Sequence, residues 1–366
     1  MNALIKKSRK LISLIILIVL FSGCENSSDS TREKTDDEPN PVEEKDDVFT
    51  IAVLPDTQYY TSEKHGGTME LFERQIDWIL SNYEDANIQY VVHLGDLVEH
   101  GEKEMIEWER AKDVMYKLEE PLSNFPDGLP YGISVGNHDQ EPYGNANIDG
   151  TDRGYNKFFG KDHFEGKNYY GGSYGEDNDN HYSLFSYKDK KFIVMFLEYN
   201  EPGNENYDAD LEQKIFQWGK GVLEDYSDHR AIIVSHSLLA RPQGSSMTVG
   251  GMGDNSIQSE FTNQGERIYE EFKSSKNVFM MLCGHRSGEG LRVDTFNGNT
   301  IKSLLSDYQS RENEAGEREG GSALMRTLEL NLTKNTLKVE TFKPSSTGVI
   351  IREMDGDSYF TLPLFE

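Results

Sequence analysis

Cysteine is nearly missing from this 366-residue sequence: there are two, Cys24 and Cys283. One pair makes no disulfide framework, so the chain must stand on a hydrophobic core, and its length suffices for one. Basic residues are also scarce. Lys and Arg number 37 against 64 Asp and Glu, for a net charge of -27. Such a surface repels polyanions, and nucleic acid is not expected as the main partner. No apolar run reaches the ~20 residues that a bilayer span needs; "LISLIILIVLF" has 11. There is neither a P-loop nor an H-E-x-x-H, which removes two large classes of nucleotide and zinc chemistry.

The scarce bases are unevenly placed. "KKSRK" precedes that apolar run, and the two together read as a signal peptide over residues 1–23. The run ends in "FSGC", Phe21 to Cys24. Small residues before a cysteine resemble the lipobox of bacterial lipoproteins, in which that cysteine is lipidated. The resemblance implies a chain anchored through Cys24 on the extracytoplasmic face of the membrane; the alternative is an ordinary secreted protein. Without residues 1–23 the net charge becomes -31, since Lys6, Lys7, Arg9 and Lys10 leave with them. Residues 25–47 hold ten acids, three bases and almost nothing apolar. They cannot bury enough surface to fold, so 24–47 reads as a self-repelling tether and 48–366 as the globular domain. Cys283, in an apolar run, reads as a small buried hydrophobe.

From Val48 on, strand and helix patterns alternate. "FTIAVL" and "IQYVVHL" are buried strands, with Phe72, Ile76, Ile79, Leu80 and Tyr83 at helical spacing between them. Trp108, Ala111, Met115 and Leu118 mark a second helix, and "YGISV" a third strand. "HYSLFSY" and "KFIVMFLEY" predict a hairpin, "RAIIVSH" and "NVFMMLCGH" two more buried strands, and the chain is β-rich from Leu291. This order implies an α/β layered fold with partly parallel sheets. Residues 141–180, rich in Gly, Asn, Asp and Tyr, read as an irregular excursion whose aromatics either wall a pocket or pack in the core.

Five apolar strands deliver chemistry at their carboxyl ends. "AVLPDTQ" ends in Asp56 and Gln58, and "VVHLGDLVE" in Asp96 and then Glu99. "ISVGNHD" ends in Asn137, His138 and Asp139, "IIVSHS" in His236 and "MMLCGHRSG" in His285. Ligands of open α/β sheets bind outside those ends, so these groups are expected to converge. One Gly-Asp or one His after a strand is an ordinary turn or cap. Five such ends together are not explained by turns. Carboxylates with neutral imidazoles suit Zn, Mn or Fe, and there are enough of them for two ions sharing a bridge.

The series D-x-Q, GD, GNHD, H and GH, from about Phe49 to Gly288, resembles the calcineurin-like metallophosphoesterases. "LPDTQYY" resembles a bacterial branch with Gln where most members have His. The resemblance implies a four-layer α/β/β/α sandwich of two mixed sheets. It implies a dinuclear site that hydrolyses small phosphomonoesters or phosphodiesters with metal-activated water. Asp56 and Gln58 would face the first metal, Asp96 would bridge, and Asn137, His236 and His285 would face the second. His138 would protonate the leaving oxygen or brace the phosphate, oriented by Glu99 or by Asp139. Arg241 and Arg286 are candidates to hold the phosphate, with surface salt bridges as the plainer reading. Relatives commonly end in Gly-His-x-His, whereas Ser287 stands here in the last place. Together with Gln58, that weakens the first metal site. His65 is a candidate extra ligand, with a surface histidine as the plainer reading. Two alternatives stand beside this one: a metal-binding surface lipoprotein without turnover, and a nuclease, which the missing basic stripe opposes. "GGSYG" lacks the strand-turn-helix setting of a nucleophile elbow, and "DNDNHY" lacks the Gly and distal Glu of a calcium loop. The block "LLSDYQ", Leu304 to Gln309, is expected near the cleft, and Asp307 receives no role.

Overall fold

The computed structural model describes residues 46–101, 103–146, 153–313 and 315–366. The leader, Cys24 and the tether up to residue 45 lie outside them. Among the described residues, no helix is long and apolar enough to cross a membrane. The first compact residue is Asp46, two before the expected start; its carboxylate accepts from Asn331 Nδ2 at 3.1 Å.

One sheet begins with β1 (Val48–Leu54), β2 (Ile88–His93) and β3 (Tyr131–Ile133), all parallel. Helices α1 (Gln58–Thr61), α2 (Met69–Asn82) and α3 (Met105–Met115) lie between these strands in the chain. After α4 (Gly154–Phe159) and α5 (Lys161–Phe164), the second sheet opens with β4 (Tyr170–Ser173), β5 (His181–Tyr187) and β6 (Lys190–Leu197). It continues through α6 (Ala209–Asp225), β7 (Arg230–Ser235), α7 (Asn263–Phe272), β8 (Val278–Cys283), β9 (Gly288–Phe296) and β10 (Asn299–Asp307). The chain then returns to the first sheet with β11 (Met325–Asn331), β12 (Thr336–Pro344), β13 (Ile350–Arg352) and β14 (Tyr359–Pro363). Each sheet has seven strands and mixes parallel with antiparallel pairs.

Side-chain alternation makes the layers. In β1, Phe49, Ile51 and Val53 point one way, into a cluster shared with Phe192, Val194 and Phe196 of β6. Ala52 and Leu54 point the other way, against Phe72, Ile76 and Ile79 of α2. In β6 the opposite face, Ile193, Met195 and Leu197, packs with Ile215 of α6 and Ile268 of α7. A strand covered on both faces has no polar side to present, which is why these runs are continuously apolar. The result is the four-layer α/β/β/α sandwich. Helices α6 and α7 are started by side-chain caps, Asp208 to Leu211 N at 2.9 Å and Thr262 to Gly265 N at 3.0 Å, each worth about 1 kcal/mol.

Within the excursion, residues 153–180 are more ordered than the sequence suggests. Tyr155, Phe158, Phe159, Phe164 and Tyr169 are buried in the helix-side core, so they wall no pocket. "DNDNHY" is a packing hub. Asn178 donates to Phe159 O and accepts from Tyr170 Oη, and Asn180 donates to Glu198. His181 stacks on Phe196 with ring centres 4.5 Å apart and donates from Nδ1 to Asn178 O at 2.8 Å.

Burial pulls His181 down to about 4, against the weaker upward effect of the Asn178 carbonyl. The folded state therefore binds this proton less readily than the unfolded chain does. Its contribution to stability is complete above pH 6.5 and is lost as pH falls toward 4, about 3 kcal/mol in all. In denaturant melts across that window, His181→Phe should lose less stability than wild type. Parallel curves would refute the assignment.

Candidate metal centre

The parallel strands run the same way within each sheet, so their carboxyl ends form one edge. The first sheet presents Asp56, Asp96 and Asn137, and the second presents His236, His285 and Asp307. The edges are stitched together. His236 Nδ1–H donates to Leu94 O at 2.9 Å, His285 N–H to Asp56 Oδ2 at 3.1 Å, and Tyr199 N–H to Val135 O at 2.9 Å.

Asp96 is the common partner. Its Oδ1 accepts from His138 N at 3.0 Å, and its Oδ2 from Gln58 Nε2 at 3.1 Å. His236 Nε2 lies 3.1 Å from the same Oδ2, aligned for no hydrogen bond. One ligand atom each from Asp96, His236 and His285 lies within 4.8 Å of the other two. Among the buried atoms here, Gln58 Oε1, Asn137 Oδ1 and His236 Nε2 have no hydrogen-bond partner. All are lone-pair donors when the imidazole is neutral. Leaving such groups buried and unpaired is costly, and a cation among them removes that cost. The donor set therefore fits divalent metal.

Close approach depends on two glycines. A Cβ on Gly284 would stand 2.0 Å from Asp56 Oδ1, and one on Gly136 would stand 2.2 Å from Asp96 Oδ1. Asp96 (φ 51°) and His285 (φ 69°) hold left-handed backbone, a strain of roughly 1–3 kcal/mol each that accumulates at functional sites.

The electrostatics point the same way. Burial raises Asp56 well above the usual carboxylate range, and the Asp307 charge adds to this. Burial opposes a charged His236, yet Asp96 and Asp56 push it up to about 10. A bound dication supplies the same positive charge and displaces that proton. Burial and the neighbouring His236 hold His285 down at about 3, leaving a neutral imidazole.

Around this group, His138 Nδ1–H donates to Glu99 O at 2.8 Å, with Glu99 Oε2 at 3.4 Å. Asp139, read as the other candidate to orient His138, is committed elsewhere. Its carboxylate accepts from Leu97 N at 2.8 Å, Val98 N at 3.2 Å and Gly136 N at 2.9 Å. It pins the Asp96 turn to the Asn137 turn. His93 is a packed core histidine, bonded to Thr57 Oγ1 at 3.0 Å and Gly95 N at 3.1 Å. His65 is exposed, its ring tilted against Tyr59 with centres 4.4 Å apart, and it is not among the residues that gather at the site. Arg241 and Arg286 are exposed; Arg241 Nη1 donates to Ser287 O at 3.3 Å. Two residues to which the sequence pattern gave no metal role stand here as well. Tyr143 bonds Asn137 Nδ2 at 2.6 Å, and Asp307 accepts from Ser287 Oγ at 3.2 Å. Asp307 carried the same signal as the others, a carboxylate ending an apolar strand.

Two layered sheets with carboxylates and imidazoles at a shared edge define a candidate divalent-metal centre. The chain belongs to the calcineurin-like phosphoesterase family, whose sequence profile matches residues 49–309. It is 28% identical over 307 residues to the uncharacterized protein YvnB of Bacillus subtilis, covering 81% of this chain and 20% of that protein. The chain thus spans about a fifth of that relative's length. A dimetal phosphatase from Danio rerio shares the fold, with a TM-score of 0.50 at 16% identity, over 87% of this chain and all of that one.

Gly284→Ala should displace Asp56. Metal content should fall, and kcat/KM with it by roughly 100-fold, as for a 1 Å misplacement. Unchanged metal content by elemental analysis would contradict the packing argument.

Proposed function

We propose that the chain hydrolyses small phosphomonoesters or phosphodiesters outside the cytoplasmic membrane, anchored through a lipid on Cys24. The observation that carries the catalytic part is the ring of unpartnered buried donors, Gln58 Oε1, Asn137 Oδ1 and His236 Nε2, around Asp96. Asp56, Gln58 and Asp96 would hold one divalent ion, and Asp96, Asn137, His236 and His285 a second, both Mn, Zn or Fe. When bound, such a pair supplies an activated water and neutralises the phosphoryl oxygens.

This chain's residues do the rest. Glu99 fixes the His138 tautomer, because a carbonyl oxygen only accepts; Nε2 is left for the substrate side. Burial opposes the imidazolium, but Asp96 and the Glu99 contacts raise His138 above its ordinary value. A ring so held can give its proton to the leaving oxygen. Beside it lies a cavity of about 180 Å³, lined by Glu99, His100, Gly101, Lys103, His138 and Tyr143. That volume suits a small leaving group. Arg241 and Arg286 at the rim would hold phosphate oxygens. Asp307, which accepts from Ser287 and Gln309, would complete the first site that the missing histidine leaves weak. The lipid anchor rests on the sequence pattern from Lys6 to Cys24. The acidic charge supports a small substrate over nucleic acid.

Hydrolysis of phosphate esters with added manganese tests this reading. His138→Ala should keep its metal and lose ~10²–10⁴-fold on an alkyl ester, and less on a nitrophenyl ester, whose anion leaves unprotonated. No hydrolysis by either protein would leave a metal-binding module without turnover. Separately, Asp307→Asn should lower the metal bound per chain from two toward one. An unchanged stoichiometry would remove Asp307 from the site.

A further inference from the structure

A second group of carboxylates lies away from this centre. Asp355 and Asp357, between β13 and β14, and Glu289, at the start of β9, each place an oxygen within 4.8 Å of the others. They are 4%, 3% and 0% exposed. Glu289 is fully engaged. It pairs with Arg311 and Arg326 and accepts from Tyr308 Oη at 3.1 Å, Thr341 Oγ1 at 2.6 Å and Ser358 Oγ at 2.6 Å. The two aspartates are not. Asp355 Oδ1 and both oxygens of Asp357 have no partner, although each side chain is more than nine-tenths buried.

The charge does not balance. Glu289, Glu353, Asp355 and Asp357 bring four negative charges, and Arg311 and Arg326 return two. Buried carboxylates facing one another need a proton or a cation between them. The donors are all oxygen, with no histidine, which selects a hard ion.

We propose that Asp355 and Asp357, beside Glu289, hold a calcium ion that clamps loop 241–261 to the segment between β13 and β14. The clamp is otherwise built from the same residues. Asp355 Oδ2 accepts from Gly253 N at 2.9 Å, Glu353 Oε2 from Gly250 N at 2.6 Å, and Gly253 O from Gly356 N at 3.1 Å. A Cβ on Gly253 would fall 1.8 Å from Asp357 Oδ1, so the loop backbone rides directly on the open carboxylate. The same loop supplies Ser245 Oγ to Glu289 N at 2.8 Å and Arg241 to Ser287 O at 3.3 Å. The cation would thus secure the wall that carries a rim arginine.

Calcium chloride titrated into chelator-treated full chain tests this, by calorimetry and by thermal midpoint. Wild type and Asp96→Asn should each take up one calcium at this site, while Asp357→Asn and Asp355→Asn bind at least tenfold more weakly. Calcium should raise the midpoint of wild type and leave those two variants unmoved. The proposal fails if wild type takes up no calcium, if uptake disappears in Asp96→Asn, or if calcium stabilises Asp357→Asn as much as wild type. Should one aspartate variant not fold, the other, together with wild type and Asp96→Asn, still decides.

Discussion

The structure depends on the crowding of negative charge around Asp96. Its carboxylate takes His138 N on one oxygen and Gln58 Nε2 on the other, with His236 Nε2 at 3.1 Å and Asp56 close behind. No uncharged core would tolerate two buried carboxylates this near each other. They are held because the sheets leave them nowhere to go: Gly284 and Gly136 press against the carboxylates themselves. The stability lost to desolvation and to left-handed backbone at Asp96 and His285 is offset by the apolar layers beneath. The same crowding suits the site to a cation.

The two-sheet design explains why the donors are distributed as they are. A carboxylate set on one sheet and an imidazole set on the other meet only if both sheets end at a common edge. The bonds His236 to Leu94, His285 to Asp56 and Tyr199 to Val135 fix that edge. Asp139 belongs to this scaffolding. Three backbone N–H groups converge on it from two turns, so it positions the ligand turns and is committed to backbone rather than bonded to the His138 ring. Glu99 has one backbone and one side-chain contact to that ring, which leaves it as the orienting group.

Much of the centre could be read before any coordinates. Asp56, Asp96, Asn137, His236 and His285 each follow an apolar run, and a parallel strand has one functional end. Asp307 ends such a run too, but no motif residue beside it marks it as a ligand. The aromatic residues of 141–180 were ambiguous because composition does not say which face a ring turns toward. In the fold, Tyr155 and Phe159 pack under α3 and Tyr143 reaches the site. Asp355 and Asp357 gave no signal, since an acidic D-G-D turn in an acidic chain is ordinary.

By itself the sequence determined the alternation of strands and helices, the two-sided burial of the strands and the list of metal-type donors, because each is a local property of residue type and spacing. Only the tertiary structure decided which donors are free. Whether Gln58, Asn137 or Asp357 keeps an unshared oxygen depends on what the rest of the fold brings within 3 Å of it, and hydrogen-bond partners hundreds of residues away leave no trace in local pattern.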